Sequence, residues 1–228
     1  VHGASTCNAR AASLWGKAKI ALEYAARRTG PMSMSPSQLG AFARSNPDAA
    51  TPDLEYHVQP ISLDAFGQPL HPFDAITASV CHLRPESRGH VRIVSPDPAA
   101  HPEIRPNYLS AERDRKVAAD AIRLTRRIVA QPAMAKYRPE EFRPGPDADG
   151  DEALARAAGE IGTTIFHPVG TVRMGPDAES PLDPQLRLKG IAGLRVVDAS
   201  VMPAITSGNT NAPVIMIAEK AADMIRAS

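Results

Sequence analysis

Aromatic side chains make up only 4% of this 228-residue sequence, and cysteine occurs twice. Cys7 and Cys81 lie far apart and form no paired motif, so neither a disulfide framework nor a cysteine-based metal motif is indicated, and both read as free thiols. No apolar run approaches the roughly 20 residues of a membrane span, and no leader pattern is visible. A strong charge bias is missing too. The 26 basic residues are offset by 25 acidic ones, and no basic stripe points to nucleic acid. The nearest cluster, Arg123 to Arg127, is broken by apolar residues at helical spacing and reads as a solvated helix face. Six histidines (His2, His57, His71, His82, His90 and His101) show no ligand-like spacing, so no metal is assigned. The expected compartment is cytoplasmic, with peripheral membrane association left open.

What is present suits a globular chain large enough to bury a core: 43% hydrophobic and 22% charged residues, stiffened by 22 prolines. Residues 13 to 28 place Leu14, Ala18, Ala21, Leu22 and Ala25 at helical spacing and stop before Gly30-Pro31, predicting an amphipathic helix. A loop rich in Ser, Pro and Asn is expected to about residue 52, then a half-exposed strand from Leu54. The β-prone runs Ile76–Arg84 and His90–Val94, separated by Pro85-Glu-Ser-Arg-Gly89, predict a hairpin. Residues 95 to 107 read as proline-punctuated coil. The strongest helix is expected over 111 to 130, where Val117, Ala118, Ala121, Leu124, Thr125 and Ile128 share a face. After a loop at 138 to 150 and a short helix from Asp151, the texture changes near residue 160 to short strands separated by glycines, closed by a helix from about Pro213 to Arg226.

Three elements after residue 160 carry chemistry. His167 precedes Pro168, which stiffens its backbone, and a neutral imidazole can accept a proton near neutral pH. Taken alone, a single histidine beside a proline is more often structural. Leu194-Arg-Val-Val-Asp198-Ala199 is an apolar strand ending in an acid and a small residue. Asp198 there reads either as an acceptor for a cofactor hydroxyl or as a helix N-cap, and the Ala199 amide can meet a phosphate or sugar oxygen. Ser207-Gly-Asn209-Thr210-Asn211-Ala-Pro213 opens the last helix, and its free amides and positive partial charge suit the pyrimidine edge of a flavin.

Together, His167-Pro-Val-Gly-Thr-Val-Arg-Met-Gly175, Leu194-Arg-Val-Val-Asp-Ala-Ser-Val-Met-Pro203 and Asn209-Thr-Asn-Ala-Pro213 resemble the glucose-methanol-choline (GMC) oxidoreductases, in their choline and alcohol dehydrogenase branch. Leu83-Arg-Pro-Glu-Ser-Arg-Gly89 and Ile104–Leu109 are similar to the family's substrate-domain segments. The resemblance implies FAD as cofactor and a small-molecule alcohol as substrate. His167 would take the hydroxyl proton while hydride passes to flavin N5, with Asn209 as its partner. Asp198, Ala199, Thr210, Asn211 and Pro213 would contact the cofactor.

The family opens with a strand, a Gly-rich turn and a helix that cradle pyrophosphate, and this sequence contains no such opening. The chain is therefore expected to be the C-terminal part of a longer polypeptide, partnered by an N-terminal FAD-binding half. The expected fold class is α+β. Residues 1–160 would form an antiparallel-sheet substrate-binding domain backed by helices, and 161–228 the C-terminal strands and helix of an incomplete FAD-binding α/β domain. An FAD-containing lyase on the same fold and a non-catalytic piece are the competing readings, and the electron acceptor is not legible.

Overall fold

A computed structural model describes residues 1–35, 37–65 and 67–227, so Pro36, inside the loop expected at 31 to 52, lies outside the described residues, as do Phe66 and Ser228. The fold is α+β, with small antiparallel sheets and helices in the order α1 (Cys7–Arg10), α2 (Leu14–Arg27), β1 (Leu39–Ala43), β2 (Leu54–Gln59), β3 (Thr77–His82), β4 (His90–Arg92), β5 (Glu103–Arg105), α3 (Glu112–Val129), α4 (Pro132–Ala135), α5 (Asp151–Ile161) and α6 (Asn211–Arg226). The chain divides into two compact units, one of residues 1–82 with 116–161, the other of 83–115 with 162–228. Residues 83–115 thus group with 162–227 rather than with the rest of the N-terminal part.

In the first unit β1, β2 and β3 form an antiparallel sheet with β2 in the centre. Its core is Leu54, Val117 and Ala121, with Ala43, Val80 and Leu124 packed around them. The α3 face expected from periodicity supplies half of that core, and Tyr56 adds a hydroxyl contact 3.0 Å from Thr125 Oγ1. Because β2 is central, its first three residues are all buried and the expected alternation is muted. β1 lies within the stretch read as loop. It is a sheet edge with Leu39 66% and Phe42 56% exposed.

Helix α2 forms where expected, capped by Ser13 and ended by Arg28 in the left-handed region. Its orientation differs from the expected one. Leu14, Ala18, Ala21, Leu22 and Ala25 all face solvent, and only Ile20 is buried. Gly16 explains the rotation: a Cβ there would run into the Arg10 carbonyl, so the glycine side is the one that lets the chain approach.

In the second unit the expected β3–β4 hairpin is absent. β4 pairs with β5, inside the segment read as coil, and β3 pairs with β2. The cause is Asp114, a buried carboxylate that accepts the Glu86 and Ser87 amides and the Ser87 hydroxyl, fixing 85–89 against the start of α3 rather than in a tight turn. Beyond residue 161 regular strands give way, among the described residues, to isolated bridges: Met174 with Leu182, Leu182 with Leu188, Arg187 with Arg195. Loops are pinned by polar contacts instead. Asp177 binds Arg173 and Ser180, which hold its carboxyl well below the usual carboxylate range. The core here is Leu182, Leu186, Val201, Met202, Ile217 and Ala221, so α6 turns Val214, Ile217 and Ala221 inward.

Candidate active site

His167 is half-buried, and its Nδ1 lies 2.6 Å from the Thr210 hydroxyl, across 43 residues of sequence. Phe166, immediately before it, sits at φ 63°, and its amide donates to the Thr164 hydroxyl. A bulky residue in that region carries strain of about 1–3 kcal/mol, and with Pro168 on the other side the imidazole is fixed from both flanks. Nε2 has no hydrogen-bond partner among the described residues.

Thr210 is the residue before α6, a position that usually caps a helix. Its side chain makes no cap bond here; it is buried and committed to His167. The first helical amides, those of Asn211 and Ala212, are left without intrahelical acceptors, and Pro213 has no N–H to satisfy. Asn209 and Asn211 are exposed and flank Thr210 in sequence. Gly208 precedes them at φ 151°, and on the other side Arg84 Nε donates to Ser207 Oγ at 2.9 Å. Thr206, two residues earlier, has a buried hydroxyl with no partner.

Asp198 is exposed and its carboxylate accepts the Ser200 amide at 2.7 Å, capping the short 3-10 turn Ala199–Val201. That realises the N-cap reading and leaves its second oxygen, with the half-buried Ala199, open to solvent. The turn connects to His167 through backbone: Val172 N donates to Ser200 O and Met174 N to Val201 O, so the strand-like stretch after the histidine runs alongside it. Gly170 keeps this pair close, since a Cβ there would stand 3.2 Å from the Met202 carbonyl at a φ of 85°. Thus 167–174, 198–202 and 206–213, separate in sequence, form one neighbourhood within the second unit. The seven candidates named from the sequence lie in these three stretches; the pairing of Thr210 with His167 and the Arg84–Ser207 tie were missed, because no local spacing encodes a contact over such separations.

A different group stands in the first unit. The register of β2 on β3 sets Glu55 opposite Cys81, with His57 two residues along, and their ligand atoms lie within 4.8 Å of one another. Burial, reinforced by Glu55, pushes the Cys81 thiol up to about 11, so the sulfur keeps its proton rather than presenting a thiolate. His57 Nε2 is buried without a hydrogen bond.

Comparison with known proteins adds the following. A family model described as GMC oxidoreductase matches residues 85–218. An oxygen-dependent choline dehydrogenase of Escherichia coli is 43% identical over 212 residues, which cover 93% of this chain and 38% of that protein. Among solved structures, a formate oxidase variant from Aspergillus oryzae RIB40, studied for modification of its FAD, superposes with a TM-score of 0.83 at 26% identity, covering 93% of this chain and 42% of the other. Pyridoxine 4-oxidase from Mesorbium loti gives a TM-score of 0.77 at 30% identity, covering 85% and 38%. The chain therefore spans about 38% of the length of the curated relative it matches.

Proposed function

Because the chain belongs to the GMC oxidoreductase family, we propose that the protein containing it oxidises a small alcohol with FAD, and that His167 takes the hydroxyl proton. The residues present suit such a cofactor on their own chemistry. The start of α6 offers unpaired amides, Asp198 is exposed beside the half-buried Ala199, and the Thr206 hydroxyl is buried without a partner. Bound FAD supplies the two-electron acceptor for the alcohol carbon. The pyrophosphate cradle would come from polypeptide beyond this chain.

The observation that carries the proposal is the Nδ1 contact to Thr210. When Nδ1–H donates to the Thr210 oxygen, the neutral ring keeps its lone pair on Nε2, the nitrogen without a partner. An alcohol hydroxyl placed there gives its proton to Nε2, and the resulting imidazolium keeps Nδ1–H on Thr210, so the base stays oriented through the transfer. Asn209, one residue from Thr210 and exposed, donates its carboxamide N–H to the same alcohol oxygen as negative charge grows on it. Asn211, Pro213 and the α6 start would hold the cofactor's electron-rich edge, where a helix N-terminus favours negative charge. Positioning of this kind is worth several kcal/mol of barrier.

The test is anaerobic mixing of the native flavoprotein with candidate alcohols, choline first. Loss of the oxidised-flavin absorbance with one equivalent of aldehyde formed supports the proposal. Consumption of a cyanohydrin with the flavin still oxidised would assign the lyase reading instead. A protein that holds no flavin would remove both.

A further inference from the structure

The buried polar group on β2 and β3 takes no part in the catalytic reading. Pleating divides β2 between two faces: Leu54 and Tyr56 meet α3, so Glu55 and His57 point to the other side. Cys81 stands opposite Glu55 on β3 and shares that side. The Glu55 side chain is 8% exposed, yet its carboxylate accepts no hydrogen bond among the described residues. His57 Nε2, itself buried without a hydrogen bond, lies 3.7 Å from Glu55 Oε1. Histidine–carboxylate pairs elsewhere in the chain close further: His2–Glu140 and His71–Asp64 to 3.2 Å, His90–Glu103 to 3.4 Å. Here two buried polar groups stop short of each other, and a native fold rarely leaves such atoms unsatisfied without an ion or water to take them up.

We propose that Glu55, His57 and Cys81 form a binding site for a zinc-type divalent cation, with a fourth position left to water. The donor set decides the class of metal. One carboxylate oxygen, one imidazole nitrogen and one sulfur suit a borderline-soft ion such as Zn²⁺, whereas Mg²⁺ and Ca²⁺ take oxygen shells. The spacing is close to what such an ion requires. Bonds of about 2.0–2.1 Å at a tetrahedral angle separate nitrogen from oxygen by about 3.4 Å, and a bond of about 2.3 Å sets sulfur about 3.6 Å from each. The three ligand atoms lie within 4.8 Å of one another, so side-chain shifts of roughly 1 Å close the shell. Gly40, opposite His57 on β1, carries no side chain and leaves room for the fourth ligand beside the imidazole. In the metal-free fold Cys81 keeps its proton and Sγ donates to the Glu55 carbonyl at 3.6 Å. An arriving cation takes the sulfur lone pair while the thiol proton passes to solvent. Zn²⁺ with one thiolate and one carboxylate is then a neutral unit, which suits a buried place. Linear spacing shows no ligand motif because the β2–β3 register, not the local sequence, brings the cysteine to the other two. The inference lies within one unit and is independent of the redox chemistry.

X-ray absorption at the zinc edge tests it, on the native protein stripped with a chelator, kept reduced and reloaded with one equivalent of zinc. The first shell holds one sulfur at about 2.3 Å and nitrogen or oxygen at about 2.0–2.1 Å. In equilibrium dialysis against buffered zinc, Glu55→Gln, His57→Gln and Cys81→Ser each weaken binding roughly a hundredfold. Cys7→Ser, at the other free thiol, leaves it unchanged, and excess Mg²⁺ does not compete. The proposal is overturned if the protein retains no zinc, if the shell lacks sulfur, or if the three variants bind zinc as tightly as the parent. Loss of the sulfur shell in Cys7→Ser rather than in Cys81→Ser overturns it as well. The spectrum of the unsubstituted protein decides for or against sulfur ligation even where a variant fails to fold.

Discussion

The two units hold themselves together by different means. In the first, Leu54 is buried between a regular three-stranded sheet and α3, and backbone hydrogen bonds run in ladders. In the second, Leu182 is equally buried, yet 162–210 contains bridges, turns and side-chain staples such as Arg173–Asp177–Ser180. The candidate site residues gather in the irregular unit. A periodic element presents the same face repeatedly, whereas the candidate histidine and the candidate carboxamide with its helix-start amides come from two separate stretches, 167–174 and 206–213. Bends at positive φ such as Phe166, Gly170 and Gly208 allow that meeting.

The contrast can be broken most sharply at His167. Its ring touches one partner and is half-buried, so His167→Ala should lower kcat/KM by about 10²–10⁴-fold while leaving thermal unfolding nearly unchanged. A fall smaller than tenfold would make the residue structural. Next comes packing. Leu182→Ala should cost about 2–5 kcal/mol in urea unfolding, as much as Leu54→Ala, if bridges support a core as well as ladders do. A clearly smaller loss at Leu182 would mean that the irregular unit can collapse around the cavity. Thr210→Val removes one hydrogen bond to the base and should slow turnover about tenfold, with Thr210→Ser largely restoring it. At Asp198 the two readings of the sequence separate: Asp198→Ala should cost about 1 kcal/mol as a lost cap, and if FAD affinity is unaltered, capping is its whole role.

The smallest effect is expected in the first unit at high pH. The Cys81 thiol is raised from 9.0 to about 11 in the fold, so folding favours its neutral form. That contribution is complete below about pH 9 and is lost as pH rises toward 11, because the unfolded chain gives up its proton first. Urea midpoints should decline over that window, and Cys81→Ser should flatten the decline.

How much of this was legible beforehand follows the same division. The 3.6-residue pattern located α3 and α6 because each buries a stripe against its own unit. It misjudged the facing of α2, where Gly16 rather than the apolar stripe meets the neighbouring backbone. β1 was hidden in Leu39-Gly-Ala-Phe-Ala43, which lacks alternation and sits among loop-forming residues. The false hairpin came from reading Pro85 to Gly89 as a turn, when a carboxylate 28 residues away organises it. For the site, residue order together with the family resemblance led to His167, Asn209, Asp198 and the α6 start as candidates. Which hydroxyl orients the imidazole depended on a contact that no spacing rule contains.

The account stands on an imidazole held at Nδ1 and free at Nε2. Its most direct test is the rate of anaerobic flavin reduction by the alcohol, measured in the native enzyme and in His167→Ala with and without added imidazole. The variant should be slower by about 10²–10⁴-fold, and free imidazole should restore part of the loss. Equal rates in the two proteins would place the base elsewhere and contradict the assignment.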